Sequence, residues 1–109
     1  MTLTTHVLNI STGIPAAGIA IELDAIDGAT RTKLATAVTN ADGRTDAPLA
    51  HDLPPGIYEI TFDVAAYFAR SNTQTFYDTI AVRFRLASGT KFHVPLLLSP
   101  YGYSTYRGS

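Results

Sequence analysis

The chain has 109 residues, 46% hydrophobic and 16% charged, which is the balance of a folded globular protein and too apolar for a disordered one. Its formal charge is -1 and it has no Lys/Arg cluster, so neither nucleic acid nor a membrane surface is an expected partner. The absence of cysteine excludes a disulfide framework, a thiol nucleophile and a cysteine-based zinc site.

At this length one core is expected, with residues 1–109 forming one domain. The opening residues Met1 to His6 show neither a basic region nor an apolar h-region, and no apolar run reaches membrane-span length. The expected location is therefore cytoplasmic. Leu3 to Ile10, rich in Thr, Val and Ile, reads as the first strand and is broken by Ser11-Thr12-Gly13. Ile19 to Ala25 and Arg31 to Thr39 read as the next two, ending at Asp27-Gly28 and at Asn40-Ala41-Asp42-Gly43. Asp52-Leu53-Pro54-Pro55-Gly56 introduces Ile57 to Phe62, where alternation puts Tyr58, Ile60 and Phe62 on the core face and Ile57, Glu59 and Thr61 on the other. Asp63 is a helix cap for one short helix closing at Ser71-Asn72. Thr79 to Leu86, Lys91 to Leu98 and Tyr101 to Tyr106 complete the series. Seven or eight short strands at this spacing predict an all-β, two-sheet antiparallel sandwich.

Alternation on the late strand puts Phe92, Val94, Leu96 and Leu98 on the core face and His93 on the opposite one. On the first strand Leu3, Thr5 and Val7 share one face and Thr4, His6, Leu8 and Ile10 the other. Whichever is core, the remaining face stays largely apolar, so something should cover it, and a subunit interface carrying histidine fits that pattern. Read singly, a strand histidine is more often structural than catalytic, and Arg44 after an Asp-Gly turn is most simply a solvated arginine. His51 matches no motif. Tyr101, Tyr103 and Tyr106 are expected to pack across strands. The three histidines form no zinc-binding spacing.

The segments Gly13 to Gly18, Thr39 to Arg44 and Leu53 to Tyr58 resemble the general prealbumin-like sandwich, a pattern shared with adhesin repeats and carboxypeptidase accessory domains. The two ends are more specific. Leu3-Thr4-Thr5-His6-Val7-Leu8-Asn9 and His93-Val94-Pro95 through Tyr106-Arg107-Gly108-Ser109 resemble the 5-hydroxyisourate hydrolases of the transthyretin-like family. The terminal Tyr-Arg-Gly-Ser is the element that separates those enzymes from hormone-carrying transthyretins. The resemblance implies hydrolysis of 5-hydroxyisourate to 2-oxo-4-hydroxy-4-carboxy-5-ureidoimidazoline in urate breakdown, without a cofactor or metal. It also implies a homotetramer, a dimer of dimers with its sites at the interface. By resemblance His6, Arg44 and His93 are catalytic, and Tyr106, Arg107, Gly108 and Ser109 bind substrate. Family members often carry a second histidine where Lys91 stands and an acid where Asn9 stands. Two readings from other classes remain open, a carrier of small aromatic ligands and a structural module of the adhesin type.

Overall fold

The computed structural model describes residues 1–109. In chain order it contains β1 (Thr2–Asn9), β2 (Ile14–Pro15), β3 (Ala20–Asp27), β4 (Thr30–Val38), β5 (Gly56–Asp63), α1 (Val64–Arg70), β6 (Thr79–Leu86), β7 (Lys91–Ser99) and β8 (Gly102–Thr105). The strands form two four-stranded sheets, ordered β2-β1-β7-β8 and β4-β3-β5-β6. The all-β, two-sheet sandwich with one short helix is thus the fold read from the sequence.

The alternation in each strand decides which face is inside. Leu3, Val7, Phe92, Val94, Leu96 and Leu98 from one sheet meet Ile21, Leu23, Tyr58, Ile60, Phe62, Ile80 and Val82 from the other in one apolar cluster. Each such side chain contributes about 1.5–3 kcal/mol by leaving water. The helix begins where Asp63 Oδ1 accepts from the Ala66 amide at 3.3 Å, and it buries Val64 and Phe68 against the core.

Three details differ from the sequence reading. First, β1 and β7 pair parallel, in register from Thr2 opposite Lys91 to Asn9 opposite Leu98, whereas every other pair is antiparallel. Parallel neighbours need a long crossover, and here most of the chain, including the whole second sheet, lies between them. Second, the break after β1 contains the two-residue strand β2, which pairs antiparallel with Leu8 and Asn9. Third, Glu59 faces outward as alternation requires yet is only 7% exposed. Arg31 covers it, bonding Glu59 Oε1 and Asp24 Oδ2 at 2.8 Å each, and Arg83 Nε reaches Glu59 Oε2 at 2.9 Å. Asp24 lies directly opposite Glu59 in the ladder, so Arg31 also separates two like charges.

The helix is seven residues long, and no helix is long and apolar enough to cross a membrane.

Candidate active site

The parallel register of β1 and β7 sets Thr4 opposite His93 and His6 opposite Pro95. The core takes the alternate positions Leu3, Thr5 and Val7, so Thr4, His6 and His93 come together on the outer face of the same sheet. His6 Nδ1 lies 2.7 Å from His93 Nε2, and Thr4 Oγ1 lies 2.8 Å from His93 Nδ1. The imidazole planes are inclined by 30° with centroids 4.8 Å apart. Ring N–H bonds and lone pairs lie in the imidazole plane, so this shallow inclination suits the direct N···N hydrogen bond.

Both rings are half-buried, and both have pKa values lowered from the ordinary histidine value. Burial is the largest cause at His6, followed by repulsion from His93 and from Arg44. At His93 burial again leads, followed by Arg44. Both imidazoles are therefore neutral at neutral pH, the state in which one nitrogen of each ring can accept a proton.

Arg44 is delivered by the turn that the sequence marks. Asn40 Oδ1 accepts from the amides of Asp42 and Arg44, and the Gly43 amide donates to Asn40 O. Gly43 has φ +72° and its carbonyl accepts from the Val7 amide at 2.8 Å, so the turn lies directly on β1. A Cβ at this position would collide with the Val7 carbonyl, which is why glycine stands there. The docking makes a backbone bridge between His6 and Arg44. The exposed Arg44 side chain lines a recess of ≈ 210 Å³ with His6, and an adjoining one of ≈ 410 Å³ with Thr4, Lys91, His93 and Ser109.

The C-terminus reaches the same place by a second route. Pro95 has no amide hydrogen, and the β7–β8 ladder covers only Leu96 to Ser99. Beyond Thr105 the tail rejoins β7 one step further along, where the Gly108 amide donates to His93 O at 2.6 Å. A Cβ on Gly108 would stand 2.7 Å from His93 Cδ2, so the terminal glycine permits backbone to lie against the imidazole.

The tail does not act as one unit. His6, Arg44, His93, Gly108 and Ser109 converge, whereas Tyr106 and Arg107, expected from the resemblance to bind substrate with them, line a different groove with Phe84, Leu86 and Phe92. The cause is alternation: with Gly108 against His93, the preceding side chain turns to the other face, and the Arg107 guanidinium lies 5.1 Å from the Phe92 ring centre. The tyrosines expected to pack are instead 64%, 41% and 54% exposed at Tyr101, Tyr103 and Tyr106, with Tyr103 resting edge-on against Tyr77. β8 is an edge strand, so its outer side has no neighbour to pack against.

Thr4 is the residue that sequence reasoning passed over. Alternation already put it on the face of His6, but its contact with His93 depends on the β1–β7 register, which no local pattern reveals. No three His, Cys, Asp or Glu side chains converge in the way a metal site requires.

Residues 3–108 match the family described as the HIUase/Transthyretin family. This chain belongs to that family. A 5-hydroxyisourate hydrolase of Mesorhizobium japonicum is 50% identical over 98% of this chain and 91% of its own length. The solved structure of Klebsiella pneumoniae 5-hydroxyisourate hydrolase shares 42% identity and a TM-score of 0.87, with 100% of both chains covered. Sea bream transthyretin, solved in complex with thyroxine, shares 28% identity at a TM-score of 0.91, covering 99% of this chain and 95% of its own. The HIUase/transthyretin fold therefore accommodates both an enzyme and a thyroxine-binding protein, and this chain stands nearer in sequence to the hydrolases. Asn9 is only 4% exposed, and it accepts from the Ser11 amide and donates to Tyr67 Oη. It ties the end of β1 to the helix. Lys91 instead adds a positive charge to the larger recess.

Proposed function

We propose that this chain is a hydrolase that opens the ring of 5-hydroxyisourate to give 2-oxo-4-hydroxy-4-carboxy-5-ureidoimidazoline. The observation that carries the reading is the joining of His6, Arg44, His93 and Gly108 by backbone bridges on one outer face, with the two imidazoles hydrogen-bonded and held neutral. Relatives named 5-hydroxyisourate hydrolase at up to 50% identity support the choice of substrate.

Water adds to a ring carbonyl carbon, the carbon–nitrogen bond breaks, and a carboxylate forms. The histidine pair removes the proton from water and returns one to the leaving nitrogen. Arg44, exposed and in none of the chain's ion pairs, faces the developing oxyanion with a fixed fork of donors. A positioned general base typically contributes roughly 10²–10⁴ in rate. Ser109 and the terminal carboxylate border the same recess, where the serine hydroxyl can donate to a substrate carbonyl. Arg107 and Tyr106 bind substrate only if they move from the Phe92 groove or meet a site on another subunit.

The homotetramer belongs to the same proposal. The outer face that carries the histidines also carries Leu8 and Leu97, opposite one another in the ladder, with Ile10 52% and Ile14 62% exposed nearby. An apolar sheet face of this kind around an open polar site suits a second subunit as its cover. Edge strands β6 and β8 leave two further pairing surfaces, enough for a dimer of dimers. A cytoplasmic site of action completes the reading and is checked by cell fractionation.

Turnover and ligand binding measured on one preparation separate enzyme from carrier. Multiple turnovers of freshly made 5-hydroxyisourate, lost in His6→Ala and His93→Ala, are expected. Tight binding of thyroid-hormone-like ligands without turnover would favour the carrier.

A further inference from the structure

His6 and His93 are joined in one line of hydrogen bonds, and the line has an end. His6 Nδ1 meets His93 Nε2 at 2.7 Å, His93 Nδ1 meets Thr4 Oγ1 at 2.8 Å, and Thr4 Oγ1 is directed to the backbone carbonyl of Phe92 at 3.4 Å. His6 Nε2 has no protein partner and borders the recess that Arg44 lines.

A neutral imidazole carries one N–H, so fixing the proton at one point of such a line fixes it everywhere. The carbonyl of Phe92 can only accept. When the Thr4 hydroxyl donates to it, the hydroxyl oxygen accepts from His93 Nδ1–H. His93 Nε2 is then a lone pair that accepts from His6 Nδ1–H, and His6 Nε2 is left as a lone pair facing the recess. Were the hydroxyl to donate to His93 Nδ1 instead, every proton in the line would move one place. His6 Nε2 would then carry hydrogen and could not act as a base.

We propose that Thr4 is a positioning residue that sets the tautomers of both histidines, so that His6 Nε2 is the general base and His93 is the relay behind it. The inference rests on the hydrolase reading and assigns the roles within it. When water gives its proton to His6 Nε2, the His6 Nδ1 proton passes to His93 Nε2. The positive charge then resides on His93, whose Nδ1–H remains bonded to Thr4, and the return path delivers a proton from His6 Nε2 to the leaving nitrogen. The net change in the line over one turnover is zero.

Charged groups border both rings. Arg44 faces the pair from the turn on β1, Lys91 lies on β7, and Asp42 and Asp46 border the smaller recesses. Ser109, the C-terminal residue, lines the larger recess with His93. Burial, and after it the positive charge of Arg44, lower the pKa of both rings.

Thr4→Val keeps the branched shape and removes the hydroxyl, whereas Thr4→Ser keeps the hydroxyl. Long-range proton–nitrogen NMR of histidine-labelled protein at neutral pH reads the tautomers directly. In the wild type His93 Nδ1 and His6 Nδ1 are expected to be protonated and His6 Nε2 bare. In Thr4→Val, His93 is expected to shift to the Nε2–H form and His6 Nε2 to gain hydrogen, with kcat reduced about tenfold, the scale of one lost hydrogen bond, and KM little changed. Thr4→Ser is expected to restore both. Unchanged tautomers in Thr4→Val, or a protonated His6 Nε2 in the wild type, would overturn the inference. If the tautomers respond as expected in a protein that does not turn over 5-hydroxyisourate, the hydrolase reading fails and the tautomer assignment stands.

Discussion

His6 and His93 are held neutral by burial and by the positive charge of Arg44, which gives the activity a definite pH dependence. Because both pKa values are lowered, the acid limb of kcat/KM is expected below about 6.5, the value of an unperturbed imidazole, with full activity above it. A limb rising above that value would mean that the rings are not in this environment. Gly108 is a second residue whose effect is local. Gly108→Ala sets a methyl against the His93 ring and is expected to lower kcat roughly 10- to 100-fold through misplacement of the imidazole, with little change in Tm. The resemblance to the family singled out His6, Arg44 and His93 as candidates, and they lie together on one face. Thr4 and the diversion of Arg107 onto Phe92 were not legible, because one depends on a long-range register and the other on where the tail rejoins β7.

Among the elements, the β4-β3-β5-β6 sheet carries the ion-pair row of Asp24, Arg31, Glu59 and Arg83. Burial works to raise the Glu59 pKa, and the hydrogen bonds from Arg31 and Arg83 outweigh it, so the carboxyl titrates below its ordinary value. A carboxyl whose folded pKa is lowered contributes stability that is complete above its unfolded value of about 4.3 and is lost as pH falls through the folded one. Glu59→Gln is expected to cost about 1–3 kcal/mol in urea unfolding at neutral pH, with a smaller difference from wild type in acid. An equal difference at both pH values would show that the charge is not what stabilises the row. Strand alternation, the Asp63 cap and the Asp42-Gly43 turn could all be read from neighbours in sequence, because each is a local preference. The burial of Glu59 could not, since it is made by arginines on two other strands, and neither could β2, whose two residues are too few for a period.

At the scale of the molecule, the histidine site lies on the outer face of one sheet and is bordered by Leu8 and Leu97. Leu8→Lys adds a charge to that face without entering the core. It is expected to yield smaller assemblies in analytical ultracentrifugation and to reduce turnover, while the fold is retained by circular dichroism. A variant with normal assembly and normal turnover would mean that this face is not the interface. The paired histidines are proposed to hydrolyse 5-hydroxyisourate, a claim that the decay of that compound's ultraviolet absorbance tests most directly. Freshly prepared substrate decays slowly unaided. A catalytic amount of the wild-type protein is expected to accelerate the decay over many turnovers, and His6→Ala at the same concentration is expected to leave it close to the spontaneous rate. Decay at the spontaneous rate with the folded wild-type protein would contradict the claim.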